Sequence, residues 1–133
     1  DFFGGEPLLN WKVVKQLVEY GRSLEEANHK KFRFTLTTNG VLLNDEIMEF
    51  CNREMSNVVL SLDGRPEVND RMRPFRNGKG SYELIVPKFQ KFAKSRGEKD
   101  YSSAEPSQET TWISEMMSST MRTSALRSFP WSR

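Results

Sequence analysis

The segment that decides the fold of this chain is Phe32-Arg33-Phe34-Thr35-Leu36-Thr37-Thr38-Asn39-Gly40. Its aromatic and β-branched residues predict a β-strand, and the Asn-Gly pair at its end predicts a turn. A second run of this kind covers residues 57–62 and ends in Asp63-Gly64. A third strand is predicted to end at Phe2-Phe3, where Gly4-Gly5 breaks it. Three strands, each closed by a turn, therefore recur along the chain.

Helical periodicity separates these strands. Apolar residues at spacings of three and four predict an amphipathic helix over residues 11–26, with Asn10 as its N-cap. A second helix is capped by Asn44 or Asp45, and a third begins after Ser81 and ends by Gly97, with Pro87 near its first turns. This alternation predicts an α/β fold around a parallel sheet within one domain of residues 1–100.

The composition excludes several classes of protein. A chain of 133 residues holds one modest core, and its net charge of +2 comes from interspersed cations and anions, so no nucleic-acid partner is predicted. There is neither a signal-peptide pattern nor an apolar run near the length that spans a membrane, which predicts a soluble, cytoplasmic protein. Cys51 is the single cysteine. It cannot form an internal disulfide or hold an iron–sulfur cluster by itself.

Residues 101–133 follow a different pattern. Ser and Thr dominate them and no apolar period persists, so this segment is predicted to be a disordered or non-native tail. We hypothesise that a frameshift produced it, because the shifted frame is compatible with a renewed strand, helix and strand. At two steps the codons leave no choice in the shifted frame. Trp112 followed by Ile113, and Met116 followed by Met117, can each be read only as Asp in that frame. A genomic sequence with the tail in frame would contradict the hypothesis.

Small polar residues close all three predicted strands, and carboxyl ends of parallel strands share one edge of a sheet. A ligand with an amino group, a carboxylate and a ribose would suit such an edge. The long polar loop at residues 65–80 follows the last of these strands and adds arginines beside it. The candidate site residues are Gly4, Gly5, Glu6, Pro7, Thr38, Asn39, Ser61 and Asp63, with Arg71 and Arg73 from the loop.

Ordinary structural explanations compete with a functional one. Gly-Gly-Glu-Pro alone is equally compatible with a simple strand-to-helix turn, and residues 65–76 form either a weak anion site or a solvated loop. Cys51 is predicted to be a core residue and His29 a solvated residue at a helix end. Trp11, with Leu8 and Leu9, is predicted to pack against the sheet.

Four motifs in order resemble the middle of a radical S-adenosylmethionine (SAM) domain of the kind that carries a SPASM extension. They are FFGGEPLLNW at residues 2–11, FTLTTNGVLL at 34–43, VVLSLDGRPEVNDRMRP at 58–74 and NGKGSY at 77–82. The resemblance covers nearly all of residues 1–101 and is strongest to maturases that form thioether bonds in six-cysteine peptides. It implies a partial (β/α) barrel of the radical SAM type.

The resemblance also implies roles for the candidate residues. Gly4, Gly5 and Glu6 would line the methionyl group of SAM, with Glu6 facing its amino group. The edge formed by Asn39, Ser61 and Asp63 would flank the ribose and the substrate. Asp63 would be a carboxylate on the substrate side, and Arg71 and Arg73 would help to close the site. Relatives commonly carry His where this chain has Asn69, which weakens any role drawn from that His.

The departures from the family pattern concern the metal centre. The family holds a 4Fe-4S cluster on a CxxxCxxC loop, which is absent here, and the cysteines of the auxiliary clusters are absent too. No residue is therefore predicted to be catalytic or to bind metal. The chain is expected to be an inactive internal piece of the enzyme, unstable because its cut sheet edges would lack partners.

The predicted parent enzyme is a radical SAM peptide maturase that forms thioether cross-links from cysteine. It would use SAM and a 4Fe-4S cluster, a cysteine-rich precursor peptide and a reductant protein. Two alternatives remain open: another SPASM enzyme of the sulfatase-maturing type, or a non-enzymatic α/β module that binds a nucleotide.

Overall fold

The computed structural model describes residues 1–97 and 101–104 of the chain. Helices and strands alternate in it, as the apolar patterns predict. A short 3-10 turn at Pro7–Asn10 precedes the first helix. The elements are α1 (Trp11–Asn28), β1 (Phe34–Thr38), α2 (Asp45–Glu54), β2 (Met55–Ser61), α3 (Pro66–Met72), α4 (Tyr82–Arg96) and β3 (Tyr101–Ala104).

The strands form a parallel sheet in the order β1-β2-β3. Phe2 extends the order beside β1 through a parallel bridge to Leu36, in which its amide donates to Thr35 O at 2.8 Å and its carbonyl accepts from Thr37 N at 3.0 Å. The predicted α/β fold with parallel strands is confirmed. Strand β3 lies at the start of the segment predicted to be a non-native tail, and the frameshift prediction for the rest of that segment falls outside the described residues.

The core lies between the sheet and its covering helices. Leu36 of β1 and Val58 of β2 are fully buried, as are Phe92 and Ile85 of α4. Such burial of branched and aromatic side chains is the main favourable contribution to folding. The Asn44 side chain caps α2 by accepting from Ile47 N at 2.9 Å, as predicted.

Several local predictions need correction. Asn10 occupies the N-cap position of α1 without a side-chain bond to the helix. Residues 65–80 are not loop throughout, since α3 forms within them with Pro66 in its first turn, where a missing N–H costs nothing. Leu9 is 77% exposed, so it does not pack against the sheet. Trp11 packs edge-on against Phe50 of α2, with ring centroids 5.1 Å apart.

Two assignments of ordinary structural residues are confirmed. Cys51 is fully buried in the core, and burial raises the pKa of its thiol to about 12. His29 is exposed at the C-cap of α1 in the left-handed region, with φ 49°. Neither residue belongs to a ligand site in the described part of the chain.

A buried arginine fastens α4 at the edge of the sheet where the strands begin. The Arg96 guanidinium donates to Cys51 O at 3.1 Å, Met55 O at 3.1 Å and Ser56 O at 3.3 Å. Cys51 O lies in the last turn of α2, where it also accepts from Met55 N, while Met55 O and Ser56 O lie at the start of β2. Arg96 therefore adds hydrogen bonds to these carbonyls and ties α4 to the junction of α2 and β2.

Among residues 1–97 and 101–104, no helix is both long and apolar enough to cross a lipid bilayer.

Candidate functional site

The first part of the site is the glycine turn between Phe2 and the 3-10 helix. Gly4 and Gly5 both adopt positive φ, at 98° and 59°, which residues with a side chain rarely do. A Cβ added to either glycine would meet open space, so conformation and not crowding requires glycine here. The backbone of this turn is exposed at the edge of the sheet, where a ligand can approach it closely.

Glu6 joins this turn to the end of β1. Its Oε1 accepts from Thr38 Oγ1 at 2.8 Å and Leu8 N at 3.1 Å, while Oε2 accepts from Asn39 N at 2.8 Å. A carboxylate offers about four lone-pair positions, so one on Oε2 has no partner in the described structure. The structure thus brings together Glu6, Thr38 and Asn39, and it leaves Glu6 able to accept one further hydrogen bond.

The turn after β1 is fixed in place by close packing on α4. Gly40 has φ 77°, and a Cβ at this position would overlap the Phe89 ring. The Gly40 amide donates to Thr38 Oγ1 at 3.0 Å, and Asn39 Oδ1 accepts from Val41 N at 3.0 Å. Asn39 is thereby oriented at the edge, while its side-chain Nδ2 donates to no other residue in the described part.

The end of β2 lies beside this turn. The parallel register pairs Thr38 with Leu60, which sets Asn39 and Ser61 side by side at the same edge. The Ser61 hydroxyl is half-buried and forms no hydrogen bond with another described residue. Two residues with unused hydrogen-bonding capacity therefore follow the same paired position where the two strands end.

Asp63 follows β2 and forms an ion pair with Arg73. Arg73 Nε donates to Oδ2 at 2.7 Å and Nη2 donates to Oδ1 at 3.2 Å, a two-point contact with a carboxylate that is only 7% exposed. The two predicted substrate-side residues therefore contact each other, and both Asp63 oxygens already accept hydrogen bonds. Arg71, predicted to act with them, is exposed and forms no ion pair within the described residues.

Asn69 organises the segment that carries Arg73. It is fully buried, and its Oδ1 accepts from Asp63 N at 3.3 Å while its Nδ2 donates to Ser81 Oγ at 3.1 Å and Asp70 Oδ1 at 3.3 Å. Ser81 in turn donates to Arg73 O at 2.7 Å. Sequence reasoning missed this role for Asn69 and Ser81, since a polar residue in a polar loop gives no signal of burial.

Asp70 closes the same segment from its other side. Its Oδ1 accepts from Tyr82 N at 2.8 Å, and a Cβ on Gly80 would overlap its carboxylate. Burial, together with the charges of Glu67 and Asp70, raises the pKa of the Tyr82 hydroxyl. The first turn of α4 is thus locked to the end of α3.

The described residues do not fit an iron–sulfur cluster. Such clusters are held by several thiolates, whereas Cys51 is buried and its high pKa keeps it protonated. No group of three or more His, Cys, Asp and Glu side chains within the described ranges could hold a metal ion. The edge residues do suit the polar groups of SAM, because Glu6 can accept from an ammonium, and Asn39 and Ser61 can bond hydroxyls.

Comparison with known proteins agrees with this geometry. The family model for the radical SAM superfamily matches residues 1–102. The chain belongs to the radical SAM superfamily, a family of enzymes that use SAM and a 4Fe-4S cluster.

Two curated relatives share part of the sequence. The chain is 31% identical over 88 residues to the radical SAM cyclopropyl synthase TigE of Paramaledivibacter caminithermalis, covering 63% of this chain and 18% of that protein. It is 30% identical over 86 residues to the cysteine-type anaerobic sulfatase-maturating enzyme of Clostridium novyi, covering 64% and 23%. The chain therefore spans less than a quarter of the length of each relative.

A solved structure shares the fold. It is described as native anSMEcpe with bound AdoMet and Kp18Cys peptide. It matches with a TM-score of 0.67 and 25% identity, over 77% of this chain and 28% of that one.

Proposed function

We propose that the edge formed by Gly4, Gly5, Glu6, Asn39 and Ser61 contributes to the SAM site of a longer radical SAM enzyme that modifies a cysteine of a peptide. The observation that carries the SAM site is the Glu6 carboxylate, which ties the glycine turn to the end of β1 and keeps one acceptor position unused. An ammonium group at this position would gain a charge-assisted hydrogen bond.

The neighbouring groups suit the rest of the ligand. Asn39 and Ser61 each follow the last paired position of β1 and β2 and leave a side-chain Nδ2 and a hydroxyl unused, which fits a ribose that offers both donors and acceptors. Thr38 holds Glu6 in position and Pro7 holds the turn. The buried Thr38 hydroxyl donates to Glu6 and accepts from Gly40 N. The Asp63–Arg73 pair borders this edge from the substrate side.

SAM bound to a 4Fe-4S cluster supplies the radical chemistry of this family. The described residues offer no ligand set for that cluster, so we propose that this chain alone is inactive. Its contribution within the parent enzyme is to bind and orient SAM and to form part of the wall against which the substrate lies.

The substrate class rests on the two relatives of the sulfatase-maturing kind. One is named for a cysteine-type reaction, and the other was solved with a Cys-containing peptide together with AdoMet. We propose formation of a thioether from a peptide cysteine as the reaction, in agreement with the motif order at residues 2–82. The sulfatase-maturing reaction is the second candidate, and these same two relatives favour it.

SAM binding is tested by isothermal titration calorimetry on the chain with Ser61→Ala, which removes a hydroxyl from the edge. Ser23→Ala is the matched control, because its hydroxyl bonds only Tyr20 O on the exposed face of α1. Loss of one hydrogen bond weakens binding about threefold to tenfold. Absence of SAM binding, or an equal loss in the control, would contradict the proposed site.

The reaction is tested on the parent enzyme with a cysteine peptide and mass spectrometry. A thioether link keeps the sulfur, removes two hydrogens and consumes the thiol that an alkylating reagent would label, and unlike a disulfide it persists after reduction by dithiothreitol. A reduction-resistant product of any other mass favours the sulfatase-maturing reaction, and an unmodified peptide would overturn both candidates.

A further inference from the structure

A second surface lies next to the candidate site, on α3 and the loop that follows it. Val68 and Met72 are four residues apart on this helix and therefore lie on the same side of it. They are 40% and 62% exposed, so both apolar side chains are accessible on the surface. We call this pair, with the exposed cations Arg71, Arg76 and Lys79, the α3 face.

The α3 face carries unpaired positive charge. Arg71, Arg76 and Lys79 are exposed, and their charged groups form no ion pair with another residue of the described ranges. The two acidic residues of α3, Glu67 and Asp70, offset two of these three positive charges and leave an excess of one. The surface is therefore complementary to an anionic partner with apolar side chains.

The loop in this surface is held in one conformation. Phe75 N donates to Lys79 O at 2.9 Å, Gly78 N donates to Phe75 O at 2.8 Å, and Lys79 N donates to Asn77 Oδ1 at 3.0 Å. The Ser81 hydroxyl fixes the carbonyl of Arg73 at the start of this loop. A partner would bind without first ordering the loop, which lowers the entropic cost of association.

We propose that the α3 face is a docking surface for an acidic segment of the peptide substrate, one that carries apolar residues among its carboxylates. The inference rests on the proposed function, which makes a peptide the substrate. Because α3 follows directly from Asp63 at the end of β2, a peptide bound here lies beside the edge where its cysteine would react. Val68 and Met72 favour a peptide over a nucleic acid, since neither offers a plane for base stacking.

The test is fluorescence anisotropy with the full chain and a labelled synthetic peptide of alternating glutamate and leucine. The double variant Arg71→Glu with Arg76→Glu replaces attraction by repulsion, and binding is expected to weaken by about tenfold or more at low salt. The matched control reverses two exposed lysines at the far end of α1, Lys30→Glu with Lys31→Glu, and is expected to bind as the unchanged chain does.

Further measurements separate the contributions. Met72→Ser is expected to weaken binding about threefold at any salt concentration, whereas the charge effect falls as salt screens it. No binding of the peptide, or equal weakening in the lysine control, overturns the proposal. Displacement of the peptide by a single-stranded oligonucleotide at lower concentration also overturns it, in favour of a nucleic-acid surface.

The outcome is distinguishable from failure of the proposed function, because SAM binding is titrated separately on the same protein. Peptide binding without SAM binding supports the docking surface and contradicts the SAM site. SAM binding without peptide binding supports the SAM site and contradicts the docking surface.

Discussion

Replacing Glu6 by glutamine tests whether one carboxylate joins the glycine turn to the end of β1. The change keeps the shape of the side chain but leaves a single acceptor oxygen in place of two. If the amide oxygen replaces Oε1, its NH2 group faces the Asn39 N–H, donor against donor. If it replaces Oε2, the Leu8 N–H loses its acceptor. In either orientation one backbone donor is left unpaired.

The expected cost follows from that lost bond. A hydrogen bond to a charged group contributes about 1.5–3 kcal/mol, so Glu6→Gln is expected to lower the free energy of unfolding by about 2 kcal/mol. Urea unfolding would show this as a midpoint lower by about 1 M, with the slope unchanged. Glu19→Gln is the matched control on the exposed side of α1, and it is expected to shift the midpoint little. Equal midpoints for the Glu6 variant and the unchanged chain would refute the reasoning.

Three further outcomes are expected. Arg96→Met removes the buried hydrogen bonds from the guanidinium to Cys51 O and Met55 O and lowers the free energy of unfolding by about 3 kcal/mol in urea, while the exposed control Arg53→Met changes it by less than about 1 kcal/mol. Gly80→Ala pushes the Asp70 carboxylate aside and costs about 1–3 kcal/mol, and an unchanged thermal midpoint would refute that overlap. The Cys51 thiol, with its pKa raised from 9.0 to about 12 by burial, resists alkylation at pH 8 until the chain unfolds. The stability that the protonated Cys51 thiol contributes is complete below pH 9 and is lost as the pH rises toward 12. Prompt labelling of Cys51 in the native chain at pH 8 would contradict its burial.

Much of the fold was accessible from the sequence because its strands and helices are strongly patterned. The aromatic and β-branched run at residues 32–38 has little alternative to a strand, although β1 begins only at Phe34. Asn44 was identifiable as a cap because its side chain bonds the helix locally, within three residues. The shared edge followed from parallel order alone, which places Asn39 beside Ser61.

The interactions that the sequence did not reveal are those that depend on how the chain folds back on itself. The ion pair of Asp63 with Arg73 spans ten residues and requires the turn that α3 makes. Helix α3 has seven residues, too few for an apolar period to develop, and its buried residue is the polar Asn69. Exposure of Leu9 likewise depends on the angle at which the 3-10 turn enters α1, which no spacing rule fixes.

The buried Asn69 forms one contact of the site edge that contains no titratable group. An amide and a hydroxyl neither gain nor lose protons across the physiological range, so the contact of Asn69 with Ser81 is the same at pH 5 and pH 8. A histidine in this position would change its charge between pH 5 and pH 8, so the conformation of the loop would depend on pH. In this chain the contact of Asn69 with Ser81 holds the loop without a group that titrates in that interval.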